Sequence, residues 1–193
     1  MINIQARIAT SLQIHQAILQ DTDLLNRLEM AAVWCVEALK ADKKILFCGN
    51  GGSASDAQHL AAELSGRFYC DRPPLFAEAL HVNTSYLTAV ANDYSYDKVY
   101  ERAVQCKGRT GDILIGISTS GNSPNILAAL VQAEQQGMRT IALTGQAGGK
   151  IAATDALLLN VPSTDTPRIQ EAHILLGHLL CEWIETALFG RDA

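Results

Sequence analysis

The chain is 193 residues long, 48% hydrophobic, and carries a formal net charge of −5. That length suits one substantial domain with a core that needs no covalent staples. The acidic balance gives no footing for nucleic acid, whose phosphates are held mainly by Lys and Arg.

Five cysteines (Cys35, Cys48, Cys70, Cys106 and Cys181) are scattered and form no C-x-x-C pair. They read as free thiols of a reducing compartment, not as a disulfide framework or a thiolate zinc site. The opening MINIQARIATSLQIHQAIL is interrupted by Gln, Arg and His too often for a signal peptide. No apolar run reaches the ~20 residues of a membrane span. A soluble, cytoplasmic chain with no membrane partner is expected.

In chain order, residues 2–41 predict two helices broken near Asp21–Asp23, with Ile4, Ile8, Leu12 and Leu19, then Leu25, Leu28, Ala32, Cys35 and Leu39, at helical spacing. From Lys44 the rhythm changes. KILFCGNGG is a short apolar run ending in glycines, and SASDAQHLAAELSGRF after it is helical. A weaker strand falls around Phe76–Val82, followed by helical stretches near Ser85–Ala91 and Tyr96–Gln105. ILIGIS leads into the helix of TSGNSPNILAALVQAEQQG, RTIALTG into a helical GGKIAAT, and ALLLNVPS into a last helix from about Pro167 to Leu188. Short apolar strands alternating with helices predict a parallel sheet covered on both faces. One domain is expected, with residues 1–41 a helical extension and 42–193 an α/β core.

In such a sheet ligands collect at the carboxyl ends of the strands, where strand order reverses. The most polar loops fall there: GNGGSAS after the first strand and STSGNS after the third. Gly49, Gly51 and Gly52 allow close backbone approach, and Ser53 and Ser55 stand near a helix start, whose free N–H groups favour an anion. Ser118, Thr119, Ser120 and Ser123 put four hydroxyls within six residues, again before a helix. Neither loop holds a Lys or Arg, so a phosphate here depends on amides, hydroxyls and a helix end with roughly half a positive charge. Taken singly, such residues are also ordinary caps and turns. GNGGSA fits a loose dinucleotide fingerprint, but that reading wants an acidic residue at the end of the next strand, which closes LHVNTS instead. No P-loop sequence is present.

His59 and Glu63 form an i, i+4 pair on one helix face, a spacing that suits two ligands of one metal. The last helix carries Gln170, Glu171, His173 and His178 in a nearly apolar run, as a buried helix would. Gln170 and His178 are separated by about 12 Å of rise and ~80° of rotation, so they reach a common ion only by leaning together. Spacing alone leaves open that His59 and His178 are hydrogen-bonded core histidines and Glu63 a solvated helix residue. His15 and His81 belong to no constellation, and His173 reads as a packing or supporting residue.

The strings CGNGGSASDAQHLAAELSGRF, AVANDYSYD, GDILIGISTSGNSPNI, ALTGQAGGK and PRIQEAHILLGHLLCEWIE, in order from about residue 44 to 188, together resemble the phosphoheptose (sedoheptulose-7-phosphate) isomerase family, built on the sugar isomerase (SIS) domain. The resemblance implies a three-layer αβα sandwich around a five-stranded parallel sheet, flavodoxin-like, with N-terminal helices, assembled as a homotetramer with active sites at subunit interfaces. It implies one zinc per subunit on His59, Glu63, Gln170 and His178, with Glu63 and His178 as the proton-transfer pair. Sugar contacts would come from Asn50, Gly51, Gly52, Ser53, Asn92 and Asp93, with Asp56 a further acidic position in the pocket. Phosphate contacts would come from Ser118, Thr119, Ser120 and Ser123. The implied reaction turns D-sedoheptulose 7-phosphate into D-glycero-D-manno-heptose 7-phosphate, opening the route to ADP-heptose for lipopolysaccharide core or a related surface polysaccharide.

Two other readings share the loops. One is a non-catalytic relative of the same fold that binds the bacterial replication initiator. It lacks the acidic residue at the Glu63 position and the histidine at the His178 position, both kept here. The other is a different phosphosugar isomerase or sensor. Pro167 occupies a spot that is often polar in the family.

Overall fold

The computed structural model describes residues 2–190. Two helices come first, α1 (Ile4–Gln20) and α2 (Thr22–Lys40). Asp21 both ends α1 and caps α2, its carboxylate accepting from Leu24 N–H at 2.9 Å. The break expected at the Asp21–Asp23 cluster is therefore an N-cap, which satisfies one of the four amides a helix start leaves open.

Five strands follow: β1 (Ile45–Gly49), β2 (Ala77–Ala79), β3 (Ile113–Ser118), β4 (Arg139–Thr144) and β5 (Leu157–Asn160). They pair only in parallel, in the order β2-β1-β3-β4-β5. Every residue of β1 and of β3 is buried, as a strand covered on both faces requires. One side chain layer packs α1, α2, α3 (Gly52–Ser65) and α7 (Thr166–Phe189) on the sheet. The opposite layer consists of α4 (Thr84–Asp93), α5 (Val99–Lys107) and α6 (Pro124–Gln135). This is the three-layer αβα sandwich. Within it α2 contributes Leu24, Leu28, Ala31, Ala32, Cys35, Val36 and Ala38 to the buried core.

Two local expectations differ in detail. GGKIAAT forms only a 3-10 turn, Gly149–Ala153, because Gly148 and Gly149 both take positive φ and lie against the backbone of Gly121. The stretch beginning at Tyr96 starts as a 3-10 turn, Tyr96–Lys98, before α5.

From β1 the chain steps outward to β2, then crosses back to β3. Strand order therefore reverses between β1 and β3, whose carboxyl ends lie level, Gly49 opposite Ile117. The glycine loop and the serine loop emerge side by side at this crevice, where ligands of open α/β sheets bind.

Candidate active site

The glycine loop is shaped by two close approaches. A Cβ on Gly49 would stand 2.3 Å from the Ser53 carbonyl oxygen, and one on Gly52 would stand 2.3 Å from Gln170 Nε2. Gly51 takes φ +57 and caps α3 without a side-chain bond, so the amides of that helix start receive no capping side chain. Ser53 is buried, its N–H donating to the Asn50 carbonyl at 3.1 Å. Asn50 exchanges two amide bonds of 2.9 Å with Asn125, and its Oδ1 also accepts from Tyr96 Oη at 3.1 Å. That pair ties the two loops together. Neither Asn125 nor Tyr96 carries a local sequence signal of this contact, which spans 75 and 46 residues of chain.

In the serine loop, buried Ser118 and half-buried Ser123 share a hydroxyl–hydroxyl bond of 3.0 Å. Exposed Ser120 accepts from Asn122 N–H at 3.1 Å, and half-buried Thr119 accepts from Gly145 N–H at 2.9 Å through its carbonyl. Asn122 in turn accepts from Lys150 N–H, which locks the loop to the Gly149–Ala153 turn. Ser123 occupies the N-cap of α6 but makes no side-chain cap bond. The hydroxyls thus stand beside an uncapped helix end, the arrangement that receives anions.

The third group comes from α3 and α7. These helices touch closely at Gly177, where a Cβ would lie 2.5 Å from Leu60 Cδ1. The contact brings His178 beside His59, ring centroids 5.0 Å apart at 77°. His59 Nε2 lies 2.9 Å from Glu63 Oε1. One ligand atom from each of His59, Glu63 and His178 falls within 4.8 Å of the others. Tetrahedral zinc at ~2.1 Å from each donor sets donors about 3.4 Å apart, so this set needs only a small contraction to hold a metal ion. Two histidines and one glutamate also match the three-ligand pattern of catalytic centres, which keep a position for substrate. The His59 side chain is 48% exposed and Glu63 25%, so the set faces solvent.

Gln170 stands apart from these three. Its amide lies over Gly52 at the start of α3, whereas His59 and Glu63 lie two to three turns further along that helix. Asp56, one turn before His59, has Oδ2 buried with no partner. Burial raises its carboxyl above the ordinary value, and the neighbouring His59 offsets part of that rise. An orphaned carboxylate oxygen one turn from a ligand-grade histidine fits a site built to hold a cation. Asn92 and Asp93 end α4 in the exposed layer, bonded to each other at 2.9 Å. His173 is fully buried, its Nε2 donating to the Thr144 carbonyl at 3.1 Å, and burial lowers its pKa to about 4. It packs α7 onto β4. Behind the triad lie two further residues missed in the sequence, Arg72 and Glu185, paired at 2.8 Å. An Arg and a Glu 113 residues apart leave no local signal of their pairing.

Comparison with known proteins agrees with this geometry. The SIS domain family profile matches residues 11–145. The phosphoheptose isomerase of Sulfurimonas denitrificans is 49% identical over 187 residues, covering 97% of this chain and 96% of the relative. The solved phosphoheptose isomerase of Neisseria gonorrhoeae superposes with a TM-score of 0.88 at 47% identity, over 95% of this chain and 97% of that one. That of Francisella tularensis gives 0.89 at 38% identity, over 95% and 96%. With its five-stranded parallel sheet, paired loops and His59–Glu63–His178 cluster, the chain belongs to the SIS domain family and, within it, to the phosphoheptose isomerases.

Proposed function

We propose that the chain is the aldose–ketose isomerase that converts D-sedoheptulose 7-phosphate to D-glycero-D-manno-heptose 7-phosphate. The observation that carries this reading is the convergence of His59, Glu63 and His178 from two helices into one donor set. A non-catalytic adaptor has no use for that set.

The reaction takes a proton from C1 of the ketose and returns one to C2, while a hydroxyl proton passes between the two oxygens. Glu63 and His178 carry these protons, a contribution of about 10²–10⁴-fold for a positioned base. His59, Glu63 and His178 would hold one zinc per subunit, with Gln170 as fourth donor once its amide leaves its place over Gly52, and Asp56 would orient His59 as ligating histidines require. When bound, the ion supplies Lewis-acid polarisation of the substrate carbonyl. A carboxylate that also ligates a cation is a weaker base, so Glu63 would serve as ligand and as base in turn.

The distal phosphate rests on Ser118, Thr119, Ser120 and Ser123 at the start of α6. Asn50, Gly51, Gly52, Ser53, Asn92 and Asp93 surround the sugar. Binding energy from the phosphate then orients the reacting end.

The functional unit we assign is a homotetramer. Its support is the unpartnered apolar surface of the helical extension: Ile4, Ile8 and Leu12 are 57–70% exposed. A groove of about 420 Å³ between α2 and α7, lined by Leu25, Leu28, Leu179 and Trp183, adds a second apolar surface. Among the described residues no helix is long and apolar enough to cross a membrane. The five free thiols suit the cytoplasm, where we place this first step toward ADP-heptose for lipopolysaccharide core or another surface polysaccharide.

Turnover of sedoheptulose 7-phosphate by the zinc-loaded protein tests the reading. Glu63→Gln is expected to keep the wild-type circular dichroism spectrum and lose turnover by about 10²–10⁴-fold. Near-wild-type activity of that variant removes Glu63 from the mechanism.

A further inference from the structure

The loop after α3, residues 66–73, carries none of the residues assigned above, yet a buried ion pair ties it down. Glu185 lies seven residues beyond His178, about two turns along the same face of α7. It is 3% exposed. Its carboxylate accepts from the backbone N–H of Phe68 (3.2 Å), Tyr69 (2.7 Å) and Cys70 (3.1 Å) and from Arg72 Nε (2.8 Å). Burial acts to raise this carboxyl, and the four donors outweigh it, so it stays below its usual range.

Arg72, 8% exposed, turns its other donors onto the open end of α3. Nη1 reaches the carbonyls of Leu64 (2.8 Å), Gly66 (3.2 Å) and Pro73 (3.2 Å), and Nη2 reaches the carbonyl of Glu63 at 2.9 Å. Terminal carbonyls of a helix have no partner within it, and a guanidinium fork can serve several at once.

The peptide of Glu63 is thus gripped directly. Phe68, whose N–H is held by Glu185, lays its ring 5.8 Å from that of His178. One ion pair sets the backbone under one member of the triad and the wall beside another. Stability alone is a weak reason for such a pair, because well-packed apolar residues often replace buried ion pairs at no loss.

We infer that Arg72 and Glu185 are positioning residues that hold Glu63 and His178 at their working separation through the strap formed by residues 66–73. The inference rests on the isomerase reading of the triad. Arg72→Lys separates positioning from charge. A lysine still faces Glu185, but its single nitrogen cannot also satisfy the carbonyls of Glu63, Leu64, Gly66 and Pro73.

The full chain is measured in three ways: thermal midpoint, zinc affinity by competition with a chromogenic chelator, and kcat and KM for sedoheptulose 7-phosphate. Zinc affinity and kcat are each expected to fall on the order of 10-fold, as for other supports of metal ligands, with KM within about twofold. Glu185→Gln, which keeps an acceptor for the strap but strands the arginine, is expected to shift the same two quantities. A folded Arg72→Lys with zinc affinity and kcat within about twofold of wild type would overturn the inference. So would failure of both variants to fold, since the pair would then serve the whole domain. If wild type binds zinc without turning over sedoheptulose 7-phosphate, the isomerase reading falls alone, and the zinc measurement still decides whether the pair positions the triad.

Discussion

Gly52→Ala displaces Gln170 from within the glycine loop that also faces the sugar. Gly52 opens α3 without a positive φ, so an alanine backbone fits there unchanged. Its new Cβ would lie 2.3 Å from Gln170 Nε2 and 2.9 Å from Cδ, where ordinary contact begins near 3.4 Å. The amide must therefore retreat by about 1.1 Å. Because the obstacle is the far end of a flexible side chain, the fold gives way cheaply. A displaced rotamer costs about 0.5–1.5 kcal/mol, and alanine in place of helical glycine returns about 0.5–1 kcal/mol. The thermal midpoint should move by no more than about 4 °C, given about 2–4 °C per kcal/mol for a chain of this size. Turnover is another matter, since a 1 Å misplacement in an active site can cost on the order of 10²-fold. Differential scanning fluorimetry and initial rates at saturating zinc measure both. Intact turnover in a stable variant would show that the amide over Gly52 takes no part in the reaction. A midpoint lowered by more than about 6 °C would show that the loop, not the side chain, had moved.

Two more outcomes follow from the same geometry. Ser120→Ala removes one exposed hydroxyl of the phosphate loop and should raise KM about threefold to tenfold, the worth of one hydrogen bond, with kcat little changed; an unaltered KM would place the phosphate elsewhere. His173 is held neutral by burial, with its pKa lowered from 6.5 to about 4. Between these values the unfolded chain binds the extra proton, so the stability that His173 contributes is complete above pH 6.5 and is lost as pH falls toward 4, up to about 3 kcal/mol. Urea unfolding of wild type against His173→Gln across that window should show the steeper slope in wild type, and parallel curves would refute the assignment.

The sequence carried the architecture because its signals were local. Apolar runs such as ILFCG and ILIGIS are buried on both faces, and Asp21 announces a helix start by itself. The glycine and serine loops were equally legible, since glycines and hydroxyls before a helix act within a few residues. The three-residue donor set was only half visible. His59 and Glu63 share one helix face, but the partner that completes them arrives 115 residues later on α7, and nothing in its spacing from Gln170 selects it. What places it is the notch at Gly177 against Leu60, a packing fact with no sequence period. For the same reason Asn125, Arg72 and Glu185 passed unremarked: each acts on a residue far away in the chain. The helical spacing of α1 matches the structure, yet Ile4, Ile8 and Leu12 stay exposed, so the same period that marks the helix does not say what its apolar residues pack against.

The close crossing of α3 and α7 also bears on synthesis. A growing chain that has reached residue 165 already contains the residues of all five strands, the glycine loop and the serine loop. The third member of the His59–Glu63–His178 set, and much of the core beneath the sheet, arrive only when Thr166–Phe189 docks and Gly177 seats against Leu60. The donor set is thereby the last part of the molecule to be completed during biogenesis.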